Sequence, residues 1–462
     1  MPRRRHLFGY NPQTMQIDMS QHFTTRQLLR YTAPTMGVMV FTSVYSIVDG
    51  LFISNFVGTT GFAAVNFIMP FLFILGSVGF MMGTGGSAVV AGATHGGDEE
   101  RARRYFSLLV YFTLVFGVIA AVAGFFAARP VAALMGATGE MLDICETYAR
   151  ITMVSLPFFT LQYAFEAFFN TAGKPKVGLV VTVIAGCTNI VLDALFVGLF
   201  GWGVPGAAVA TAIAETVGGG VPIIYFARPN STPFRLGRTR MEWRVIGKTC
   251  VNGSSEMVAN IAMSFVGMLY NYQLLRFMGE NGVAAYGVLM YVGMIFSAIF
   301  IGYTVGCAPL MSFQNGAGNA VEKRSLLKKS LAIIGVAGVL MLAAGELAAG
   351  VVTGIFTSYD PELHALATHA FRIYALAFFF IGYAIYGSSL FTSLEDGLIS
   401  AVISFVRTLV FEAGAVMLLP VFFGAESIWW SFMVAEIAAV TLSAVFLAIF
   451  AKKYEFRPTK TV

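Results

Sequence analysis

Phe56-Val57-Gly58-Thr59-Thr60-Gly61-Phe62-Ala63-Ala64 returns 221 residues later, without a gap, as Phe277-Met278-Gly279-Glu280-Asn281-Gly282-Val283-Ala284-Ala285. The correspondence runs on through the next apolar stretch, where Met69 falls on Met290, Ile74 on Ile295, Gly85 on Gly306 and Arg103 on Arg324. With one residue added, Arg150-Ile151 falls on Arg372-Ile373 and Phe169 on Phe391. A match that keeps apolar runs and loops in step over this length is a tandem duplication.

The unit that was duplicated is a membrane unit. The chain is 57% hydrophobic and 11% charged, with a mean hydropathy of +0.76, which is too apolar for a soluble protein of 462 residues. Apolar runs of about 20 residues, the length that spans a bilayer as a helix, fall at 31–56, 62–92, 105–128, 148–171, 177–200 and 205–227. Six more fall at 249–276, 282–310, 327–356, 369–393, 398–422 and 427–451. Ten-residue segments of alternating polarity, which a transmembrane barrel requires, are absent from the sequence. The expected fold is therefore an all-α integral membrane protein with twelve transmembrane helices in two pseudo-symmetric six-helix lobes. Six is even, so both lobes enter the membrane in one direction and are parallel repeats. The expected organisation is an N-terminal segment (1–30), a first lobe (31–228), an inter-lobe loop (229–248), a second lobe (249–451) and a tail (452–462). The loop contains Pro229 and Pro233.

Positive charge orients the bundle, because cytoplasmic loops collect Lys and Arg. All but five of the 29 Lys and Arg residues fall on the side of the N-terminus; Arg129, Arg150, Arg276 and Arg372 fall on the other, and Arg407 lies inside a helix. Both termini are expected to be cytoplasmic. The net charge of +5 then reflects topology, and no nucleic-acid partner is expected. Residues 1–30 have no apolar core and do not read as a secretory signal. The four cysteines have no metal-ligand spacing and are expected as small core residues, while Trp202, Trp243, Trp429 and Trp430 sit at predicted helix ends as boundary anchors. The five histidines lie in tails and loops, so no histidine relay crosses the membrane. A membrane enzyme would need a His, Asp or Cys cluster at one face; no enzyme activity and no cofactor are expected. No Walker motif is present, and Gly83-Thr84-Gly85-Gly86-Ser87 lacks the Lys-Ser/Thr ending of a phosphate loop, so it reads as close helix packing.

Against this apolar background Asp49, Asn189 and Asp193 stand out. A charge at mid-bilayer costs several kcal/mol, and such residues usually mark ion or proton pathways. Asn189 and Asp193 are four apart and share a helix face. The duplication sharpens the point: Asp49 corresponds to Tyr270, Glu166 to Ser388, Asn189 to Phe411, Asp193 to Ala415 and Thr211 to Met433. The second half has Glu346, Arg407, Glu412 and Glu436, but a different constellation. Arg407 is expected to pair with an acid such as Glu412 or to meet water in a cleft.

These residues bring a family resemblance with them. Pro34 lies fifteen residues before Val48-Asp49-Gly50-Leu51-Phe52, and Asn189-Ile190-Val191-Leu192-Asp193 is followed by Gly206-Ala207-Ala208-Val209-Ala210-Thr211. Over residues 20–450 the chain resembles the multidrug and toxic compound extrusion transporters, most closely the prokaryotic DinF-like branch. The resemblance implies an antiporter in a prokaryotic plasma membrane, coupled to protons or sodium, exporting lipophilic and often cationic drug-like compounds by alternating access. It implies that Asp49, Asn189, Asp193 and Thr211 gather as the coupling site, with sodium as a possible metal, and that the first helix bends at Pro34. Two neighbouring carboxylates with an amide and a hydroxyl would let protons and sodium compete for one place. Tyr45, Gln162, Glu166, Glu256 and Arg407 are the candidates for the substrate cavity. The expected partners are small molecules and the lipid bilayer, with the protein acting as a monomer. A lipid-linked oligosaccharide flippase of the same superfamily is the alternative, but its cavity would need several cations, whereas the membrane interior here offers chiefly acids; a channel or membrane enzyme is a more distant one.

Overall fold

Gly58 and Gly279 turn the two longest helices into four membrane crossings. The structure is a computed structural model that describes residues 22–95, 99–172, 174–230, 232, 234–394 and 396–456, side chains at 38, 45, 46, 91, 92, 94, 95 and 255 excepted. Helices α1 (Thr25–His95) and α7 (Trp243–Gly316) are each two arms joined at one glycine, Gly58 at φ 84° and Gly279 at φ 66°. Positive φ is strained for residues with a Cβ and free for glycine. The two glycines are 221 residues apart, so the repeat seen in sequence is a repeat of backbone geometry.

Each half then adds four more crossings. In the first half these are α2 (Glu99–Leu134), the broken pair α3 (Gly139–Met153) and α4 (Leu156–Thr171), α5 (Pro175–Asp193) with a π-helical turn Ala194–Leu199, and α6 (Gly203–Ala227). In the second half they are α8 (Ala320–Thr357), the pair α9 (Pro361–Leu376) and α10 (Phe378–Ser393) bent by 48°, α11 (Gly397–Phe405) with α12 (Ala413–Phe423) across the π-helical turn Val406–Glu412, and α13 (Ser427–Phe450). Among the described residues the crossings number twelve, as expected, and none contains a strand. Several helices outrun their apolar segments, since a helix leaving the bilayer keeps its backbone hydrogen bonds with polar side chains. α3 begins at Gly139, nine residues before the expected start of its crossing. The break before α4 has a cause in Pro157, which lacks the N–H an uninterrupted helix would use.

Residues 228–242 form the connection between halves, shorter than expected because α7 begins at Trp243. It is not a loose tether. Gly237 N–H donates to Ser107 Oγ at 3.1 Å, Thr239 donates to the Arg104 carbonyl at 2.9 Å, and Phe234 is 1% exposed, stacked on Phe106 at 5.4 Å. Pro233 lies outside the described residues, as do 1–21 and 457–462 of the expected terminal segments. Both described chain ends dock at the start of α8: Phe23 N–H donates to Glu322 at 3.1 Å, and Lys323 pairs with Glu455 at 3.5 Å. Trp202, Trp243 and Trp430 are exposed as boundary anchors should be, but Trp429 is buried. Cys145 and Cys307 are core residues, Cys250 is half-buried and Cys187 is exposed.

The halves meet along the arms of α1 and α7. Near the terminal face, small residues let backbones touch: a Cβ on Gly253 would lie 2.0 Å from the Met81 carbonyl oxygen, and one on Gly302 2.5 Å from Met36 Cα. At the opposite face, hydrogen bonds close the seam, with Thr60 donating to Glu280 at 2.6 Å, Thr59 to Asp360 at 3.2 Å and Asn55 to the Ile355 carbonyl at 2.9 Å.

Candidate functional site

A cavity of about 590 Å³ lies between the halves. The first half supplies Asp49, Asn66, Gln162, Asn189, Thr211 and Glu215 to its wall, and the second supplies Asn260, Ser264, Asn271, Tyr286 and Tyr291. It is not sealed, since Phe73, Met263 and Met294 line it while keeping 41%, 67% and 39% of their surface exposed.

Asp49 reaches the cavity because it lies in the second half of the first arm of α1, beside α5 and α6. It interacts with Asp193 and Asn189, which α5 places one turn apart. Asp193 itself is fully buried behind the wall. Thr211, on α6, faces the same point and neighbours Tyr148. Each of the four keeps at least one polar atom unpaired within the protein. Asp49 Oδ1, both carboxylate oxygens of Asp193, Asn189 Nδ2 and Thr211 Oγ1 are buried and make no hydrogen bond. Buried polar atoms are nearly always paired, and leaving one unpaired costs about 1–3 kcal/mol. The four oxygens among these five atoms, from α1, α5 and α6, fit a hard cation or a proton, whereas the Asn189 amide N–H is a donor that awaits an acceptor.

The expected cavity residues divide. Gln162 lines the wall and packs on Gly218. Glu166 and Glu256 do not line it; each is exposed, one helical turn beyond the lining residues Gln162 and Asn260, the wall ending at Tyr163 on α4 and starting at Asn260 on α7. Arg407 is also outside the wall. It pairs with an acid, as expected, and that acid is Glu436, to which Nε and Nη2 donate at 3.0 and 2.6 Å. The Tyr45 side chain lies outside what the structure describes. Pro34 lies within the first arm of α1, whose dihedrals stay helical through it.

One acid was missed. Glu215 lines the cavity four residues after Thr211, held by a 2.6 Å hydrogen bond from Ser155. Its signal was available: it is the one acid in the apolar run 205–227 and shares the Thr211 face. The structure also corrects the register of the last crossing in each half. The 221-residue offset of the first crossings sets Gly203 (φ 63°), which opens α6, on Gly424 (φ 81°), just ahead of α13, and so matches two positive-φ glycines. At that offset Glu215 falls on Glu436, so one acid does repeat.

Similarity to known proteins agrees with the duplicated architecture. The MatE family model matches the chain twice, over residues 34–195 and 257–418. The chain belongs to the MatE family. Among relatives of this MatE chain, "Multidrug export protein MepA" of Staphylococcus haemolyticus is 23% identical over 419 residues, covering 90% of this chain and 92% of that protein. The same-named protein of Staphylococcus aureus is 22% identical, covering 89% and 90%. An inward-facing multidrug resistance MATE family transporter of the MOP superfamily superposes with a TM-score of 0.85 at 19% identity, covering 90% of this chain and 96% of that one. An outward-facing one gives 0.73 at 19% identity, covering 95% and 98%. The MatE chain thus has the twelve-helix fold of MATE transporters, a multi-pass membrane architecture.

Proposed function

We propose that this MatE protein is a cation-coupled antiporter that exports lipophilic, often cationic, drug-like compounds by alternating access. The observation that carries the reading is the charge of the cavity. Its described wall holds two acids, Asp49 and Glu215, and no Lys or Arg. Such a wall attracts an organic cation and disfavours the pyrophosphate of a lipid-linked sugar, and its aromatic residues Tyr286, Tyr291, Phe73 and Phe159 offer ring faces to a positive charge. The multidrug export named for the MepA relatives supports the same class of substrate.

Asp49, Asn189, Asp193 and Thr211 are the proposed coupling site. A proton or sodium ion there would partner the unpaired oxygens and neutralise one of the two carboxylate charges; organic cation and coupling ion then compete for the negative charge of one lobe. Pro34 leaves a carbonyl of α1 without its helical N–H partner, which makes the arm carrying Asp49 the element that bends during the cycle. The basic face is taken as cytoplasmic, with both termini inside a prokaryotic plasma membrane.

The test is ethidium export from proteoliposomes with proton and sodium gradients collapsed separately. Export should stop when the coupling gradient is removed. Asp49→Asn and Asp193→Asn should each reduce export to the level of empty vesicles while inserting normally. Gradient-independent export, or full export by both variants, would overturn the reading.

A further inference from the structure

The second half has a charged cluster of its own, in which Glu436 is buried and Arg407 and Glu412 are half-buried. Arg407, in the π-helical turn Val406–Glu412, donates both its hydrogen bonds to one oxygen, Oε1, of Glu436. Glu436 is 1% exposed, and its other oxygen, Oε2, is buried without a hydrogen-bond partner. Glu412 ends the same π-helical turn and interacts electrostatically with both Arg407 and Glu436. Tyr270 faces the two acids from α7, 3% exposed and with its hydroxyl also unpartnered. Tyr374 faces them from α9. Tyr286 stacks on Tyr270 at 4.9 Å and 12°, and its other side lines the central cavity.

The charges do not balance. One guanidinium faces two carboxylates, so with both acids ionised the cluster keeps a net negative charge in a low-dielectric interior, where uncompensated charge is strongly disfavoured. A single proton removes it. A metal cation is a poorer solution, because Arg407 already occupies the positive position and repels another fixed cation. The placement follows the duplication: Tyr270 stands where the first half has Asp49, and Glu436 where it has Glu215. A π-helical turn accompanies the acids in both halves, following Asp193 in one and ending at Glu412 in the other, and π-bulges are frequent at functional sites.

We infer that the second lobe holds a proton-binding centre in which Arg407 and Glu436 form a fixed ion pair and Glu412 takes up and releases one proton behind the Tyr270–Tyr286 wall of the cavity. The proton is exchanged with water, converting the Glu412 carboxylate to the acid and back. The centre would thus add a proton to whatever the first-lobe site carries. It does not depend on the drug-export reading.

Infrared difference spectra between acidic and alkaline buffer, recorded on the purified full-length protein in lipid nanodiscs, test this without any transported compound. Acidification should produce the C=O stretch of protonated carboxyl groups. One component should be lost in Glu412→Gln and survive in the Asp49→Asn/Asp193→Asn double variant. Glu412→Asp keeps the carboxyl in a moved position and should shift that component rather than remove it, which guards against a Gln variant that fails to fold. Spectra of Glu412→Gln and Glu412→Asp identical to those of the unaltered protein would overturn the inference. So would a component lost in Glu436→Gln but kept in Glu412→Gln, which would place the proton on the other acid. If ethidium export fails while the Glu412 component behaves as expected, the drug-export reading alone is at fault.

Discussion

Arg407 illustrates what a single residue can and cannot disclose. That a lone Arg in mid-helix needs an acid was plain from its position; which acid was not, because Glu436 is 29 residues away on another helix and only packing selects it over Glu412. The pair is buried on the Glu436 side, so removing one partner should be severe. Arg407→Met is expected to destabilise the protein by about 3–5 kcal/mol, the cost of stranding a buried charge, and Arg407→Met/Glu436→Leu should recover most of it. Thermal unfolding of both variants in the same lipid measures the difference. Glu215 is the residue whose role was hidden for another reason. A one-residue slip between the halves set it against an apolar position, and only the positive-φ glycines Gly203 and Gly424 restore its match to Glu436. As an acidic wall residue facing a cationic dye it should contribute to binding by about 1.5–3 kcal/mol, typical of a hydrogen bond or contact to a charged group. Glu215→Gln is therefore expected to raise the ethidium KM about tenfold or more with kcat less affected. An unchanged KM would remove Glu215 from the substrate wall. By contrast Asp49, Asn189 and Asp193 were legible at once, since polar atoms in an apolar run need no tertiary knowledge to be noticed.

At the scale of elements, the bilayer does most of the specifying. All twelve crossings were readable from hydropathy, because in lipid a backbone has only helices and closed barrels to choose from. Helix ends were less readable, as they lie beyond the apolar runs where that constraint relaxes. The connection 228–242 shows what composition hides: its polar, Pro-containing sequence reads as a tether, yet Phe234 anchors it in a cluster with Phe106, Phe165 and Phe226. Truncating that ring should cost about 3–5 kcal/mol, as for other buried Phe side chains. In Phe234→Ala, trypsin should cut at Arg238 or Arg240 markedly faster, whereas an unchanged digestion rate would show the connection held by its backbone bonds alone. The tail after α13 is tied differently. Lys453 reaches Asp396 at 2.5 Å and the Tyr454 hydroxyl donates to the same carboxylate. These two partners, Lys453 foremost, hold the Asp396 carboxyl below its ordinary value of 3.8. A depressed folded pKa contributes stability that is complete above the unfolded value and is lost as pH falls through the folded one. The tail should therefore stay docked from neutral pH down to about 4, the ordinary range of an Asp carboxyl, and loosen only below it. Asp396→Asn should loosen it at neutral pH, read by tryptic release at Lys452 and Lys453.

For the whole molecule the decisive feature is where the proposed coupling acid stands relative to the seam between halves. Asp49 is followed by Gly50, whose Cα faces the Tyr291 ring so closely that a Cβ there would lie 2.6 Å from it. Tyr291 cannot easily yield, because it packs against Phe62 at 6.0 Å and Phe356 at 6.0 Å, rings that also pack on each other at 6.4 Å. A change in the charge of Asp49 thus occurs one residue from a contact that both halves share, and this is the physical link by which ion binding in the first lobe can move the second. Gly50→Ala should tax that contact without touching any oxygen of the site. Overpacking of this kind costs about 1–3 kcal/mol, and if the strain falls on only one of the two alternating arrangements it shifts their balance by about tenfold or more, each 1.4 kcal/mol being a factor of ten. The expected result is ethidium export slowed by about that factor, with ethidium binding to the purified protein retained. Asp49→Asn should instead change both the response to the ion and the export, because it removes a donor from the site itself. Export by Gly50→Ala at the rate of the unaltered protein would show that the seam at Tyr291 stays still during the cycle, and that the ion site must act through α5 and α6 within its own lobe.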